Sequence, residues 1–136
     1  MVQRILTPTD GSDPSVRAIE QAVEIAKPLD ATIHALSVIP EMTRGAKAQE
    51  EWDERVSDAL AKAREIVERE GIEYEDAKRS GPVASEIVDY AAEHDVDLIV
   101  MGTHGRSGLH RFLVGSVTQR TIETSPIPVV TVPPEE

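Results

Sequence analysis

The stretch MGTHGRSGLHRFLVGS, residues 101–116, holds four glycines, two arginines and two histidines. It lies in a longer window, residues 98–122, without a single acidic residue, although Asp and Glu supply 25 of the chain's 136 residues. Gly102 and Gly105 lack a Cβ, so the backbone can turn sharply there and bring its N–H groups close to an anion. Gly115 and Ser116 start the next helix, whose free N–H groups and positive dipole end favour phosphate. His104, Arg106, His110, Arg111 and Arg120 add positive or titratable nitrogen. The chemistry implied is phosphate cradling. No G-K-[ST] and no G-x-G-x-x-G occurs, which leaves a lysine cradle and a dinucleotide site unsupported. Ser116 with Gln119 also spells an S-x-x-Q capping box, which a helix start uses whether or not anything binds.

Other candidates are sparser. Asp10 is placed to contact a ribose or base, to hold a phosphate-bound magnesium through water, or to brace the Asp-Gly turn by an Asx hydrogen bond. Val38 and Ile39 either wall a pocket for adenine or pack the core. His34 is expected to face a helix or solvent, His94 to be solvated near a helix end, and Trp52 to pack on a long helix. No histidine and carboxylate set has metal-ligand spacing, so no metal site is expected from the protein beyond magnesium at Asp10. No catalytic residue is assigned.

These groups need a scaffold, and the apolar pattern supplies one. Residues 3–9 (QRILTPT) and 31–39 (ATIHALSVI) read as strands. Between them Ser12 or Asp13 caps a helix that starts with Pro14 and repeats Val16, Ile19, Val23 and Ala26 at helical spacing. Val56, Leu60, Ala63 and Val67 mark a long second helix ended by Gly71. Residues 72–79 make a more polar strand, as at a sheet edge. Gly81 and Pro82 open a third helix with Val83, Ile87, Val88 and Ala91 inward. Residues 97–101 (DLIVM) read as a central strand, covered on both faces. A helix over residues 116–124 and a strand over 127–132 follow, the latter at an edge because Pro128 cannot donate to a ladder. Strands alternating with helices imply parallel pairing in a doubly wound α/β sandwich, with strand order 2-1-3-4-5 or 3-2-1-4-5. In the second order the loops after the first and fourth strands share the crevice where the winding reverses.

Composition narrows the class. The length fits one domain, residues 1–136, with 40% hydrophobic residues for a core. Cysteine is absent, which excludes disulfides, thiolate metal sites and cysteine nucleophiles. No signal peptide and no apolar run of about 20 residues is present, so a cytoplasmic protein with no membrane partner is expected. A formal charge of -11 argues against nucleic acid as a partner. The acid excess, with ten arginines and four lysines, suits a halophile's salt-rich cytoplasm.

The segments ILTPTDGS, DLIVMGTHG, GSVTQ and SPIPVVTV, in this order, make the whole chain resemble the universal stress proteins. The pattern G-x2-G-x9-G-[ST] of that family's ATP-binding branch is met by Gly102, Gly105, Gly115 and Ser116. The resemblance implies a Rossmann-like five-stranded parallel sheet of order 3-2-1-4-5 with helices on both faces. It implies ATP as the ligand, which the magnesium considered at Asp10 would accompany. Asp10 would lie near ribose and adenine, with Pro8 and Thr9 beside it, and Val38 would touch adenine through its backbone. Met101, Gly102, Gly105, Gly115, Ser116 and Val117 would line ribose and phosphates, with Thr118 close by. Arg106, His110 and Arg111 fall in the family's variable segment, so phosphate contacts from Arg106 and Arg111, as from His104, rest on charge alone. A homodimer through Val129, Val130, Thr131 and Val132 is also implied. The function expected is a nucleotide-dependent regulatory module of the stress response. The alternatives are a slow ATPase, with His104, Asp10 and Arg106 as the nearby candidates, and a dimeric, chaperone-like scaffold that binds no nucleotide.

Overall fold

The segment RILTP forms β1 (Arg4–Pro8), and its Ile5, Leu6 and Thr7 are fully buried, as in a strand covered on both faces. The computed structural model describes residues 1–104 and 114–134. After β1 come α1 (Asp13–Leu29), β2 (Thr32–Pro40), α2 (Ala46–Arg69), β3 (Tyr74–Gly81), α3 (Val83–Glu93), β4 (Leu98–Gly102), α4 (Ser116–Thr124) and β5 (Val129–Val132). The five strands form one parallel sheet in the order β3-β2-β1-β4-β5. Of the two orders that periodicity leaves open, this one brings the ends of β1 and β4 together.

The strand period of two sorts each strand onto two cores. Ile5, Ile33, Ala35, Ile39 and Val100 point to the side packed by α1 and α2. Leu6, Leu36, Ile99 and Met101 point to the opposite side, with Ile87 and Tyr90 of α3. Each fully buried Ile or Leu contributes about 1.5–3 kcal/mol of transfer free energy, so the two cores fix the sheet between its helices.

Local signals set the helix ends. Ser12 is the N-cap of α1, its hydroxyl accepting from the Ser15 N–H at 3.4 Å, with Pro14 in the first turn. Beyond α2, Gly71 adopts φ 75°, the left-handed conformation a glycine stop supplies. The start of α4 departs from expectation. Gly115, not Ser116, occupies the cap, so the S-x-x-Q box does not form and no side chain caps this helix.

Three further expectations change. Val88 is only half-buried, and Ala84 and Tyr90 take the inward face of α3, because the face set by Ile87 runs through residues three apart. The central place in the sheet belongs to β1, with β4 interior beside it. β5 begins at Val129, after Pro128, whose carbonyl accepts from the Ile99 N–H at 3.0 Å; β5 is nonetheless an edge strand, as is β3.

Candidate functional site

A cavity of about 290 Å³ opens at the carboxyl ends of β1, β2 and β4, the place where open α/β sheets bind ligands. Pro8, Thr9 and Asp10 reach it from β1, and Val38 from β2. Met101, Gly102 and His104 reach it from β4. Gly115, Ser116, Val117 and Thr118 enter from the start of α4. These eleven residues, all singled out for nucleotide or phosphate contact, therefore face one space, whereas Arg120, exposed on α4, is not among its lining residues. Gly105, Arg106, His110 and Arg111 lie outside the described residues.

The loop between β1 and α1 is a closed hydrogen-bond circuit. The Ser15 hydroxyl donates to the Ser12 carbonyl at 2.8 Å, so its contact with Thr9 Oγ1 at 2.9 Å must be one in which Thr9 donates. Thr9 Oγ1 in turn accepts from the Gly11 N–H at 3.2 Å. Asp10 Oδ1 accepts from the Ser12 N–H at 2.9 Å and from the Ser12 hydroxyl, the Asx brace that an Asp-Gly turn uses. Gly11 at φ 81° completes the turn in a region open to glycine. The buried Ser37 hydroxyl donates to the Thr9 carbonyl at 2.6 Å, and the Thr9 N–H donates to Leu36 O at 2.8 Å, locking this loop to β2.

The β4 side is built as tightly. Gly102 ends the strand where an added Cβ would lie 3.1 Å from the Pro14 carbonyl oxygen. Its own carbonyl accepts from the buried Thr118 hydroxyl at 2.7 Å, pinning the first turn of α4 to the strand. The Thr103 carbonyl accepts from the Gly115 N–H at 2.6 Å. His104 is buried, with Nδ1 2.8 Å from Thr103 Oγ1. The first turn of α4 holds no acidic residue, so its positive end meets the cavity without a competing carboxylate. Asp10 is the one carboxylate among the described lining residues.

The other half of the cavity is apolar. Leu36, Pro40, Trp52, Val83 and Ile87 line it together with Val38. Trp52 is half-buried and packs against the core on the α1 and α2 side, so it is both a packing residue and a cavity wall. Ile39 does not reach this space. It points to the opposite face from Val38, as alternation along β2 requires. Ser15, Leu36, Pro40, Trp52, Val83 and Ile87 escape a reading by motif, because they come from four separate elements that only the fold brings together.

The remaining histidines lie elsewhere. His34 is buried against α3, its Nδ1 2.8 Å from the Tyr90 hydroxyl. His94, expected in solvent, is half-buried and stacks on the Tyr90 ring with centroids 3.8 Å apart. Among the described residues no cluster of three or more histidines and carboxylates could hold a metal ion, and no helix is long and apolar enough to cross a membrane.

Comparison with known proteins follows the same architecture. Universal stress protein MJ0531 of Methanocaldococcus jannaschii is 37% identical over 140 residues, covering 97% of this chain and 82% of that protein. Among solved structures, hypothetical protein MJ0577 superposes with TM-score 0.80 at 30% identity over 100% of this chain and 99% of that one. A universal stress protein in complex with cAMP has TM-score 0.75 at 28% identity, covering 96% of each chain. The universal stress protein of Archaeoglobus fulgidus in complex with dAMP has TM-score 0.76 at 25% identity, covering 96% and 97%. The universal stress protein family model matches residues 1–133, and the chain belongs to that family.

Proposed function

We propose that the cavity binds an adenine nucleotide, ATP with magnesium, and that the chain acts as a nucleotide-dependent regulatory module. The observation that carries this is the division of one cavity into an apolar half at β2 and α3 and a polar half where β4 meets the uncapped start of α4. A base is flat and apolar on its faces, and phosphates are anionic, so the two halves match the two ends of a nucleotide. In this reading the base lies by Val38, the ribose by Asp10, and the phosphates by the first-turn N–H groups of Ser116, Val117 and Thr118. A single carboxylate among the described lining residues suits magnesium carried mainly by phosphates and water. The relatives solved with cAMP and dAMP support adenine as the base.

Binding is favoured over turnover. Hydrolysis needs a group to orient water and charge to stabilise the transferred phosphoryl. Among the described lining residues only Asp10 and His104 carry a carboxylate or imidazole side chain, and Asp10 is engaged in its turn. Calorimetric titration of nucleotide-stripped protein with magnesium-ATP, in molar potassium chloride, tests the reading against AMP. Saturable one-to-one binding, tighter for ATP, is expected. Absence of heat from a folded sample overturns it.

A further inference from the structure

The two halves of the cavity belong to different elements. The polar half is built by β1, β4 and α4, and the apolar half by β2, α3 and Trp52 of α2. β2 and β4 flank β1 on opposite sides, so a ligand spanning the cavity crosses from one half to the other along the strand ends. Trp52 carries the one indole, and the largest aromatic ring, among the described lining residues; the imidazole of His104 lies in the polar half. Its position is held from two directions: it packs against the α1 and α2 core, and the Arg55 guanidinium lies 4.9 Å from its ring centroid. A ring held in this way gives up little rotamer freedom when a ligand arrives.

Aliphatic neighbours such as Val38, Pro40 and Val83 bury any apolar group of suitable size. An indole adds a π surface, which favours a flat aromatic heterocycle over an aliphatic group of equal area. Arg55 over the ring draws on the same electron density and fixes its orientation. We infer that Trp52 is a specificity-determining residue that recognises the heterocyclic base of the ligand, while the phosphates are held at the other end of the cavity. This rests on the nucleotide reading above and adds to it the group that selects for a base.

The test compares ATP with inorganic tripolyphosphate, which has the phosphates and no base, on three proteins: wild type, Trp52→Phe and Trp52→Leu. Phe keeps a ring and Leu keeps apolar bulk without one. Wild type is expected to bind ATP more tightly than tripolyphosphate. Trp52→Leu is expected to lose roughly tenfold in ATP affinity and nothing in tripolyphosphate affinity, with Trp52→Phe recovering most of the loss. Trp52 is the only tryptophan, so its emission in the wild type is expected to change with ATP and not with tripolyphosphate. Equal loss of both ligands in Trp52→Leu would show that Trp52 only supports the fold. Unchanged ATP affinity in that variant would overturn the inference and leave nucleotide binding standing. If wild type binds neither ligand, the nucleotide reading itself falls, and this inference with it.

Discussion

Gly102 shows how one missing methyl group holds two loops together. A Cβ there would stand 3.1 Å from the Pro14 carbonyl oxygen and 3.3 Å from that of His104. Both are backbone atoms, so neither can swing aside as a long side chain would. Gly102→Ala must therefore move the start of α1 or the turn at His104, and both border the cavity. We expect it to cost about 1–3 kcal/mol, the usual range for overpacking a well-filled site, read as a lower urea midpoint at unchanged slope, with weaker ATP binding. An unchanged midpoint would mean that the two loops give way freely. The sequence marks this glycine as one that must lack a Cβ, but the reason it offers is a sharp turn toward an anion. The structure adds a close approach by the first turn of α1, a neighbour in space that no local pattern announces. Ser116 carries the complementary lesson. Its capping box is legible, yet Gly115 takes the cap, since the Gly115 N–H is already committed to the Thr103 carbonyl and its own carbonyl accepts from the Gln119 N–H at 3.0 Å.

Between elements, β2 and α3 meet through His34, Tyr90 and His94, a contact that periodicity marks only as apolar packing. His34 Nδ1 bonds the Tyr90 hydroxyl, while Nε2 is buried without a hydrogen bond and lies 4.0 Å from Glu75 of β3. Burial lowers the His34 pKa below its ordinary 6.5; Glu75 opposes this, while His94 and Arg4 act with it. The unfolded chain thus takes up a proton near pH 6.5 that the folded chain resists. Stability is fully present above that pH and falls as the solution is acidified through it. Asp97, held below its ordinary 3.8 by the backbone N–H groups of Gln3 and Arg4, acts in the same direction only at much lower pH. We expect the melting temperature of wild type to drop between pH 7 and 5.5, and His34→Asn, which keeps a partner near Nδ1 without a titrating ring, to show a flatter profile. Equal slopes would remove His34 as the cause. The strands and helices themselves are legible because their apolar residues repeat at clean periods. The His34 contact is not, because an aromatic partner such as Tyr90 is chosen by tertiary geometry; Val88 reads as inward for the same reason.

At the scale of the whole molecule, the charge of -11 and the edge strand β5 act on each other. Basic residues number 14 against 25 acids, so pairs such as Lys78 with Asp53 at 3.1 Å and Arg79 with Glu93 at 2.7 Å leave a large acidic excess. Salt weakens exposed pairs of this kind, each worth about 0–1 kcal/mol, and it also screens the repulsion among the remaining carboxylates. With acids in such excess the second effect dominates. Raising potassium chloride from 0.1 to 1 M shortens the screening length from about 10 to 3 Å, and the melting temperature is expected to rise. The same repulsion opposes association of two copies. β5 is an edge strand with Val129, Val130 and Thr131 half-exposed, and we propose that it pairs with a second copy across a two-fold axis, which covers an edge that would otherwise invite uncontrolled pairing. Sedimentation should then show a dimer that strengthens with salt. Thr131→Glu, which brings like charges together beside the two-fold axis, should give a monomer at the same salt whose melting temperature still rises with potassium chloride. A variant that stays dimeric would move the interface away from β5. A monomer with no salt response would instead assign the stabilisation to association, with charge screening within one chain contributing little.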